Sequence, residues 1–295
     1  MTRFIGERRD RFGVELLCRT LGAAPSTYYA ARSRPPCARA ISDAWLHEQI
    51  TRVFEANYRV YGGRKVYHQL RREGIEVGRD RVWRLMHEAG LHGARRGRTK
   101  FTTRADPKAA RPPDLVERDF TAAGPDRLWV ADLTYVRTWV GFCYVALVED
   151  VFSRMIVGWS LATHLRASLA TEALEMAVWR RGVSVEGLIH HSDAGSQYTS
   201  VVYSERLASH GIAPSVGSVG DSFDNAMAES AIGLYKTELI RRQGPWRNPD
   251  QVEFATLEYI DWFNNRRLHG EIGHVPPAEF EEVFYASRAE EQIKG

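Results

Sequence analysis

The spacing of apolar residues changes midway along the chain, from a helical period to a strand period. In the first hundred or so residues, apolar positions recur three or four residues apart, which is typical of helices that bury one face. After Pro125 the apolar positions alternate with polar ones in short runs separated by turn residues, as in strands. We therefore expect a helical region followed by a region of mixed helices and strands.

The helical region begins with two short helices within residues 12–32, interrupted at Gly22. This unit has the size of a helix-turn-helix, and it equally fits a helical hairpin that packs on a neighbour. A longer helix is predicted from Ser42, as its N-cap, to about Asn57. Its apolar stripe is predicted to consist of Trp45, Ile50, Val53 and Phe54. Two further helices, Gly63–Glu73 and Gly78–Ala89, are predicted to bury Val66, Tyr67, Leu70, Val82, Leu85 and Met86.

The second region predicts three strands joined by short turns and then alternating helices and strands. The strands are Leu128–Val136, Gly141–Glu149 and Met155–Leu161, and the short turns indicate an antiparallel meander. The elements that follow are helix Ser168–Arg181, strand Leu188–Ser192, helix Val201–Ser209, a short strand near Pro214–Gly217, and helices Asp224–Ile240 and Asp250–Asn265. This order indicates an α/β fold of the RNase H-like type, with a mixed five-stranded sheet and flanking helices.

Composition and cysteine content exclude several classes of protein. With 295 residues, 44% of them apolar, the chain has enough material for a packed core, so wholesale disorder is excluded. The three cysteines lack a CxxC spacing, which excludes a disulfide scaffold and a cysteine-based zinc knuckle and favours a reducing compartment. No apolar run is long enough for a membrane span, and the first ten residues do not form a secretory signal, so we expect a cytoplasmic protein.

The net charge of +3 hides an asymmetry between the two regions. Residues 1–120 hold 25 Lys and Arg against 14 Asp and Glu, whereas residues 121–295 hold 15 against 23. The first part therefore has a net charge of +11 and the second −8. This division favours a basic nucleic-acid module ahead of an acidic module that binds metal, although two ordinary solvated surfaces would also produce it.

Basic residues lie between the apolar positions of the last two helices of the first region. They are Arg64, Lys65, Arg71, Arg72, Arg79, Arg81 and Arg84. A helix that starts Gly78-Arg79-Asp80-Arg81 fits a recognition helix whose first residues reach bases while other cations hold phosphates. The alternative is a basic helical bundle with solvated arginines.

Three acidic residues are candidates for a catalytic metal site. Asp132 lies in the middle of a strand that is apolar on both faces, where an ionised carboxylate needs a partner or a metal. Asp193 follows the strand that ends at Ser192, and Glu229 lies on the helix after it, with 35 residues between the two. Three carboxylates suit two Mg²⁺ ions, which prefer oxygen ligands and together support in-line displacement at phosphorus.

Two neighbours of Glu229 complete the predicted site. Asn225 shares a helix face with Glu229, and Lys236 lies about two turns along, where its ammonium group can neutralise a DNA phosphate. Of the other candidates, His190 and His191 are better suited to positioning or core roles than to a hard cation. Glu149 and Asp150 are expected in a turn, Asp224 as an N-cap and Asp221 in a loop. Arg266 and His269 are secondary candidates, with His269 contacting DNA or docking the C-terminal segment.

Five motifs in order resemble the OrfB-type transposases of bacterial insertion sequences, the IS3 family, whose catalytic core is that of retroviral integrases. They run from Tyr61 to Val66, continued at Gly78–Val82; from Trp129 to Tyr135; from His191 to Ser200; from Asp221 to Ser230, with Lys236; and from Phe263 to His269, continued at Pro276–Phe280. Phe263 stands where the family usually has Tyr. The 35-residue spacing is the signature of the DDE group.

The resemblance implies a DDE transposase with Asp132, Asp193 and Glu229 as catalytic metal ligands, and with two Mg²⁺ ions for which Mn²⁺ can substitute. It implies 3′-end nicking and strand transfer at terminal inverted repeats and target DNA, through a circular intermediate. It further implies a homo-oligomer on DNA, association with the nucleoid, and production as a fusion to an upstream frame. Two alternatives remain open: a DNA-binding regulator built on an inactive core, and an RNase H-type nuclease.

Five segments are predicted along the chain. They are a short helical segment at 1–37, a helix-turn-helix domain at 38–93, a basic Pro-rich linker at 94–125, the integrase catalytic domain at 126–285, and a tail at 286–295.

Overall fold

The computed structural model describes residues 1–95, 112–182, 185, 187–217 and 225–294. The predictions made for residues 96–111 of the basic linker, for Asp221 and for Asp224 lie outside these residues. The chain divides into two compact units, Met1–Arg52 and Val53–Gly295. The division falls within one helix and does not coincide with any of the predicted segment boundaries.

The first unit is made of short helices around a small core. Helices α1 (Thr2–Phe12), α2 (Val14–Thr20) and α3 (Pro25–Ser33) surround the buried side chains of Ile5, Cys18 and Tyr28. The burial of Ile5 gives α1 an apolar anchor in this core.

Helix α4 spans Ala38–Ala56 and contains the boundary between the two units. The prediction of Ser42 as its N-cap is wrong, because the helix begins four residues earlier. Trp45 is half exposed and Leu46 is buried, so the apolar stripe was assigned one residue too early at this point.

Helices α5 (Gly63–Arg72) and α6 (Arg79–Glu88) pack on each other in the second unit. Their bounds and apolar stripes confirm the prediction, with the exception that Tyr67 is only partly buried. The buried positions are Val66, Leu70, Val82, Leu85 and Met86.

The described strands form a single five-stranded mixed sheet in the order β3-β2-β1-β4-β5. The strands are β1 (Leu128–Thr138), β2 (Gly141–Asp150), β3 (Ile156–Ala162), β4 (Ile189–Ser192) and β5 (Ala213–Val216). The first three are antiparallel, whereas β4 runs parallel to β1 and β5 parallel to β4. The predicted meander and the central place of β1 are both confirmed.

Helices cover the two faces of this sheet. Helix α7 (Ala167–Arg181) packs on one face, where a Cβ at Gly158 would lie 2.1 Å from the Ala173 carbonyl oxygen. Only glycine therefore allows α7 to approach β3 so closely. On the opposite face, Ala228 of helix α9 (Ala226–Tyr235) joins a core with Leu128, Val130 and Val151.

The remaining helices complete the second unit. They are α8 (Val201–Ser209), α10 (Arg241–Gln243), α11 (Pro249–Asn265) and α12 (Pro277–Lys294). A π-helical turn, Lys236–Ile240, joins α9 to α10, so the long helix predicted here changes its hydrogen-bonding period partway. In the part of the chain that is described, no helix combines the length and apolar character that crossing a membrane requires.

Candidate active site

The two aspartates meet where β4 ends beside β1. Ala131 and Ser192 form the last pair of the β1–β4 ladder, so Asp132 and Asp193 are the next residues on two adjacent parallel strands. Beyond Ala131, β1 continues for seven residues, to Thr138, without β4 beside it. The sheet therefore opens a notch at its centre, and both carboxylates lie at that notch.

The loop after β4 fixes the orientation of Asp193. The Gly195 amide donates a hydrogen bond to Asp193 Oδ1 at 3.0 Å. A Cβ at Gly195 would lie 2.8 Å from that same oxygen, so a larger residue would displace the carboxylate. Glycine at this position is therefore part of how the chain holds Asp193.

Glu229 approaches the notch from the first turn of α9. Its amide bonds to the Asn225 carbonyl oxygen at 3.0 Å, which ties it to the helix start. The adjacent residue, Ala228, is buried against the sheet and sets the position of the helix. The central strand, the end of β4 and the start of α9 thus supply one carboxylate each.

The three carboxylates repel one another electrostatically. Burial, followed by the negative charge of Asp193 and then that of Glu229, raises the pKa of Asp132 to about 8. The Leu133 amide, which donates to Asp132 Oδ1 at 2.7 Å, and the charge of Lys236 offset only part of this effect. Burial also raises the pKa of Asp193. The site therefore carries more negative charge than the described cations neutralise.

Asn225 connects α9 to the catalytic strand. Its Nδ2 donates to the Ala131 carbonyl oxygen at 3.2 Å, immediately before Asp132. Its buried Oδ1 lacks a hydrogen-bond partner among the residues that the structure describes. Asn225 is therefore both a brace for the strand and an uncommitted oxygen close to the carboxylates.

Lys236 begins the π-helical turn and reaches the notch from the open side of β1. Its Nζ lies 5.0 Å from the centre of the Tyr135 ring. Burial lowers the pKa of Lys236, and the charge of Asp132 partly restores it. The ammonium group is thus placed between the carboxylates and an exposed aromatic side chain.

The two histidines before Asp193 are buried, and their rings contact polar groups inside the fold. His191 is fully buried, with Nδ1 2.8 Å from Ser215 Oγ and 3.7 Å from Asp114. His190 Nε2 lies 2.9 Å from the Tyr203 hydroxyl, and burial lowers the pKa of His190 to about 3. Both rings thus pack between strands and helices, as the positioning or core interpretation predicted.

The predicted DNA-contacting cations of α5 and α6 fall into two groups. Arg64, Arg71 and Arg79 are exposed, and Arg81 and Arg84 are half-buried. Several form local ion pairs on the helix surface: Arg71 with Glu76 at 3.1 Å, Arg79 with Asp80 at 3.4 Å, and Arg84 with Glu88 at 2.9 Å.

Lys65 differs from the other cations. Its Nζ lies over the Tyr61 ring at 5.2 Å, and burial lowers the pKa of Lys65 to about 7. Lys65 is therefore less suited to a phosphate contact than the exposed arginines, and its role stays a prediction.

Arg266 and His269 differ in their exposure to solvent. Arg266 is exposed and pairs with Asp261 at 3.2 Å. His269 is only 8% exposed, its Nε2 lies 3.0 Å from Arg267 Nη1, and its ring packs edge-on against Phe263. The interpretation of His269 as a DNA contact is wrong, since the burial that lowers its pKa also removes the ring from the surface.

Two buried acidic groups were not anticipated from the sequence. Glu238, in the π-helical turn, accepts two hydrogen bonds from Arg267, at 2.8 and 2.6 Å, and one from the Tyr259 hydroxyl at 3.1 Å. Glu149 and Asp150 belong to β2 and not to a turn, and burial raises their pKa values to about 8 and about 6. Asp150 is held by the amides of Asp126 and Ser153, which marks a structural role.

The candidate site offers the carboxylate oxygens that hard cations prefer, but its described side chains are not arranged around one point. Among the described residues, no three His, Cys, Asp or Glu side chains form a group that is ready to hold a metal ion. The segment 218–224, directly before Asn225, is not among the described residues.

Comparison with known families assigns both regions of the chain. Residues 122–222 match the Integrase core domain family, and residues 210–277 match a second family with the same description. Residues 41–99 match the HTH-like domain family.

Similar proteins cover almost the whole chain. A protein of Mycobacterium tuberculosis (strain ATCC 25177 / H37Ra), assigned to insertion sequence element IS986/IS6110, is 55% identical over 90% of this chain and 97% of its own length. The transposase for insertion sequence element IS629 of Shigella sonnei is 50% identical over 97% of both chains. Transposase InsF for insertion sequence IS3A of Escherichia coli (strain K12) is 30% identical over 94% of this chain and 97% of its own.

Among solved structures, the catalytic core domain of HTLV-2 integrase in complex with magnesium is similar with a TM-score of 0.42 and 15% identity. The similar part covers 55% of this chain and 99% of the HTLV-2 domain.

Proposed function

Because the chain belongs to the IS3 family of insertion-sequence transposases, we propose that it cuts and joins DNA at a site formed by Asp132, Asp193 and Glu229. The observation that carries this proposal is geometric. The β1–β4 ladder ends at Ala131 and Ser192, so that Asp132 and Asp193 are the next residues of two neighbouring segments, and Glu229 lies in the first turn of α9, which packs on the same sheet. The family relationship does not favour a regulator on an inactive core or an RNase H-type nuclease.

The donor set fits Mg²⁺. Oxygen ligands are those that Mg²⁺ prefers, and two positive ions would relieve the repulsion that raises the pKa of Asp132. Asp132, Asp193 and Glu229 would hold the ions, with Mn²⁺ as a substitute. When bound, the ions supply activation of the attacking oxygen and stabilisation of the leaving oxygen at phosphorus.

The chain's own residues prepare the site for this chemistry. The Leu133 and Gly195 amides orient the two aspartates, so that each presents a second oxygen away from its hydrogen bond. Asn225 holds the strand at Ala131 and thereby limits movement of Asp132. Substrate and carboxylates are thus aligned by the protein before reaction, which lowers the entropic cost of an in-line attack.

Lys236 is proposed to bind the DNA backbone beside the reacting phosphate. The Nζ of Lys236 lies on the open side of β1, and its half-buried position strengthens its attraction to a phosphate oxygen. First a water molecule and then a DNA 3′-hydroxyl would act as nucleophile, giving 3′-end nicking followed by strand transfer.

Helices α5 and α6 are proposed to recognise the terminal inverted repeats of the element. Arg79 and Arg81 lie in the first turn of α6, where a recognition helix reads bases, and Arg64, Arg71 and Arg84 are placed to hold phosphates. Arg266 is a further exposed cation on the second unit. In this proposal, 38–93 forms the DNA-binding segment and 126–285 the catalytic segment, with 94–125 as the link.

Joining two DNA ends requires at least two copies of the site, so a homo-oligomer on DNA is proposed, with production as a fusion to an upstream frame. Action on bacterial DNA places the protein at the nucleoid in the cytoplasm.

The test is an assay for nicking and joining of labelled element ends in Mg²⁺ or Mn²⁺. Asp132→Asn, Asp193→Asn and Glu229→Gln are each expected to lower both activities at least about a thousandfold, since each removes a ligand but keeps the side-chain size. Binding of the ends, measured by gel shift, should survive. Near-normal joining by any one variant would remove that residue from the site. Glu282→Gln, an exposed residue of α12, serves as the matched control.

A further inference from the structure

The far half of the β1–β2 hairpin exposes large aromatic side chains. Tyr135, Trp139 and Phe142 are 48%, 69% and 50% exposed. Such residues are usually buried in a sheet that faces water on one side. Their exposure beside a catalytic site therefore requires an explanation.

Two of the three rings lie on one face of the hairpin, and the third is at its tip. Tyr135 and Arg137 share a face of β1, Phe142 joins it because it pairs with Arg137 across the ladder, and Trp139 follows Thr138 in the turn. The rings of Tyr135 and Phe142 meet edge to face at 5.7 Å. From Tyr135 to Thr138 the strand rises about 10 Å, which matches about three nucleotides at about 3.4 Å each.

Positive charges accompany the aromatic rings along the whole length. Lys236 lies 5.0 Å from Tyr135 at the catalytic end, and the Arg247 guanidinium lies 5.9 Å from the Trp139 ring at the far end. Arg137 is exposed between them. Residues 133–148 contain no aspartate or glutamate, so the hairpin itself adds no repulsion toward a polyanion.

The hairpin tip is fixed in place and is not a loose loop. The Trp139 amide donates to the Trp246 carbonyl oxygen at 2.9 Å, and the Thr138 hydroxyl donates to the Gly141 carbonyl oxygen at 2.8 Å. The aromatic face is therefore presented in a defined geometry before any partner binds.

From these features we propose that this face, hereafter the hairpin track, binds an unpaired stretch of the DNA strand that passes through the active site. Bases would stack on Trp139, Phe142 and Tyr135, while Arg247, Arg137 and Lys236 contact the phosphates. Alternating rings and cations are the chemistry of single-strand binding, and the track begins at Lys236, next to Asp132. This inference rests on the proposed function, which places the reacting phosphate at that end.

The test measures strand binding without catalysis. The full chain, in buffer containing EDTA, is titrated into a fluorescein-labelled twelve-nucleotide oligothymidine and into a blunt duplex, and fluorescence anisotropy is recorded. Trp139→Ala and Phe142→Ala should each weaken oligothymidine binding about tenfold, because one stacked base is lost, and should change duplex binding far less. Phe142→Tyr, which keeps a ring, should retain most of the affinity.

The matched control is Trp179→Ala. Trp179 is 84% exposed on α7 and is not one of the hairpin's aromatic residues, so its loss should leave strand binding unchanged. Far-ultraviolet circular dichroism checks that each variant is folded, and Phe142 provides a second position on the other strand if Trp139→Ala does not fold.

Three results would overturn the proposal. They are unchanged oligothymidine affinity in both alanine variants, an equal loss for oligothymidine and duplex, and a change in sedimentation that shows the face to be a contact between two copies. Because no metal is present, failure here differs from failure of the proposed function, which appears as joining by Asp132→Asn.

Discussion

Asp132 opposes folding of the metal-free chain. A carboxyl group in a central strand loses its hydration, and its two acidic neighbours add repulsion, so its pKa rises to about 8. Between about pH 4 and about pH 8 the unfolded chain has lost this proton while the folded, metal-free chain retains it. The unfolded state is therefore favoured increasingly as pH rises through that range.

We predict that Asp132→Asn stabilises the metal-free protein at neutral and alkaline pH. The gain in free energy of unfolding should be on the order of 2 kcal/mol above about pH 8 and should vanish below about pH 3, where both states are protonated. Urea titrations in EDTA at several pH values provide the measurement. Asp261→Asn, an exposed aspartate, should show no such trend. A loss of stability at alkaline pH in Asp132→Asn would contradict the argument.

The π-helical turn Lys236–Ile240 connects the candidate site to a buried ion pair. Its first residue reaches the active-site notch, and Glu238, two residues later, is buried with Arg267 and Tyr259. A change of hydrogen-bonding period within a helix rotates the residues that follow it. Lys236 therefore faces the notch while Glu238 faces the protein core. The buried ion pair thereby fixes the turn that positions Lys236.

We predict that Glu238→Gln destabilises the protein by about 3 kcal/mol, because it leaves the Arg267 guanidinium buried without a counter-charge. It should also reduce strand joining by displacing Lys236, while Glu282→Gln changes neither. Urea unfolding and the joining assay measure the two effects. Wild-type stability in Glu238→Gln would show that water or another group compensates Arg267.

At the scale of elements, the sequence predicted the helices and strands whose positions depend on local pattern. Apolar alternation located all five strands, and turn residues located α5, α6 and α8 to within a residue or two. The burial of Glu149, Glu238 and His269 was not predictable, because each is set by a partner distant in the chain or by a local change of helical period. Strand order placed Asp132 and Asp193 at neighbouring positions, as the β1–β4 ladder does, whereas the roles of these residues and of Glu229 remain proposals.

At the scale of the molecule, helices α5 and α6 belong to the same compact unit as the sheet. Asn57 Oδ1 accepts a hydrogen bond from the Trp262 indole at 3.1 Å. The Tyr61 hydroxyl accepts from the Leu268 amide at 2.8 Å. The sequence analysis predicted the helix-turn-helix segment and the catalytic segment as separate domains. Contacts between residues some 200 positions apart leave no periodic pattern in the sequence that would have shown otherwise. Groups proposed to read DNA are thus attached to the catalytic region through buried hydrogen bonds.

We predict that Tyr61→Phe lowers the free energy of unfolding by about 2 kcal/mol, because the buried Leu268 amide loses its acceptor. The sheet and helices α5 and α6 should still unfold in one transition. Circular dichroism and tryptophan fluorescence, recorded during the same urea titration, should therefore coincide. Tyr29→Phe, at an exposed position, is the control and should have no effect. Two separate transitions in the wild-type chain would refute the single unit.

The shortness of β4 has a consequence beyond the placement of the carboxylates. Where β1 extends past it, one side of a central strand lacks a β4 neighbour, and unpaired backbone groups of this kind are templates for strands of other molecules. Natural proteins protect such borders with charged side chains, and here Asp132, Arg137 and Lys236 provide charge along the border. Replacing these residues would therefore remove charge from an unpaired strand border as well as the proposed contacts to DNA.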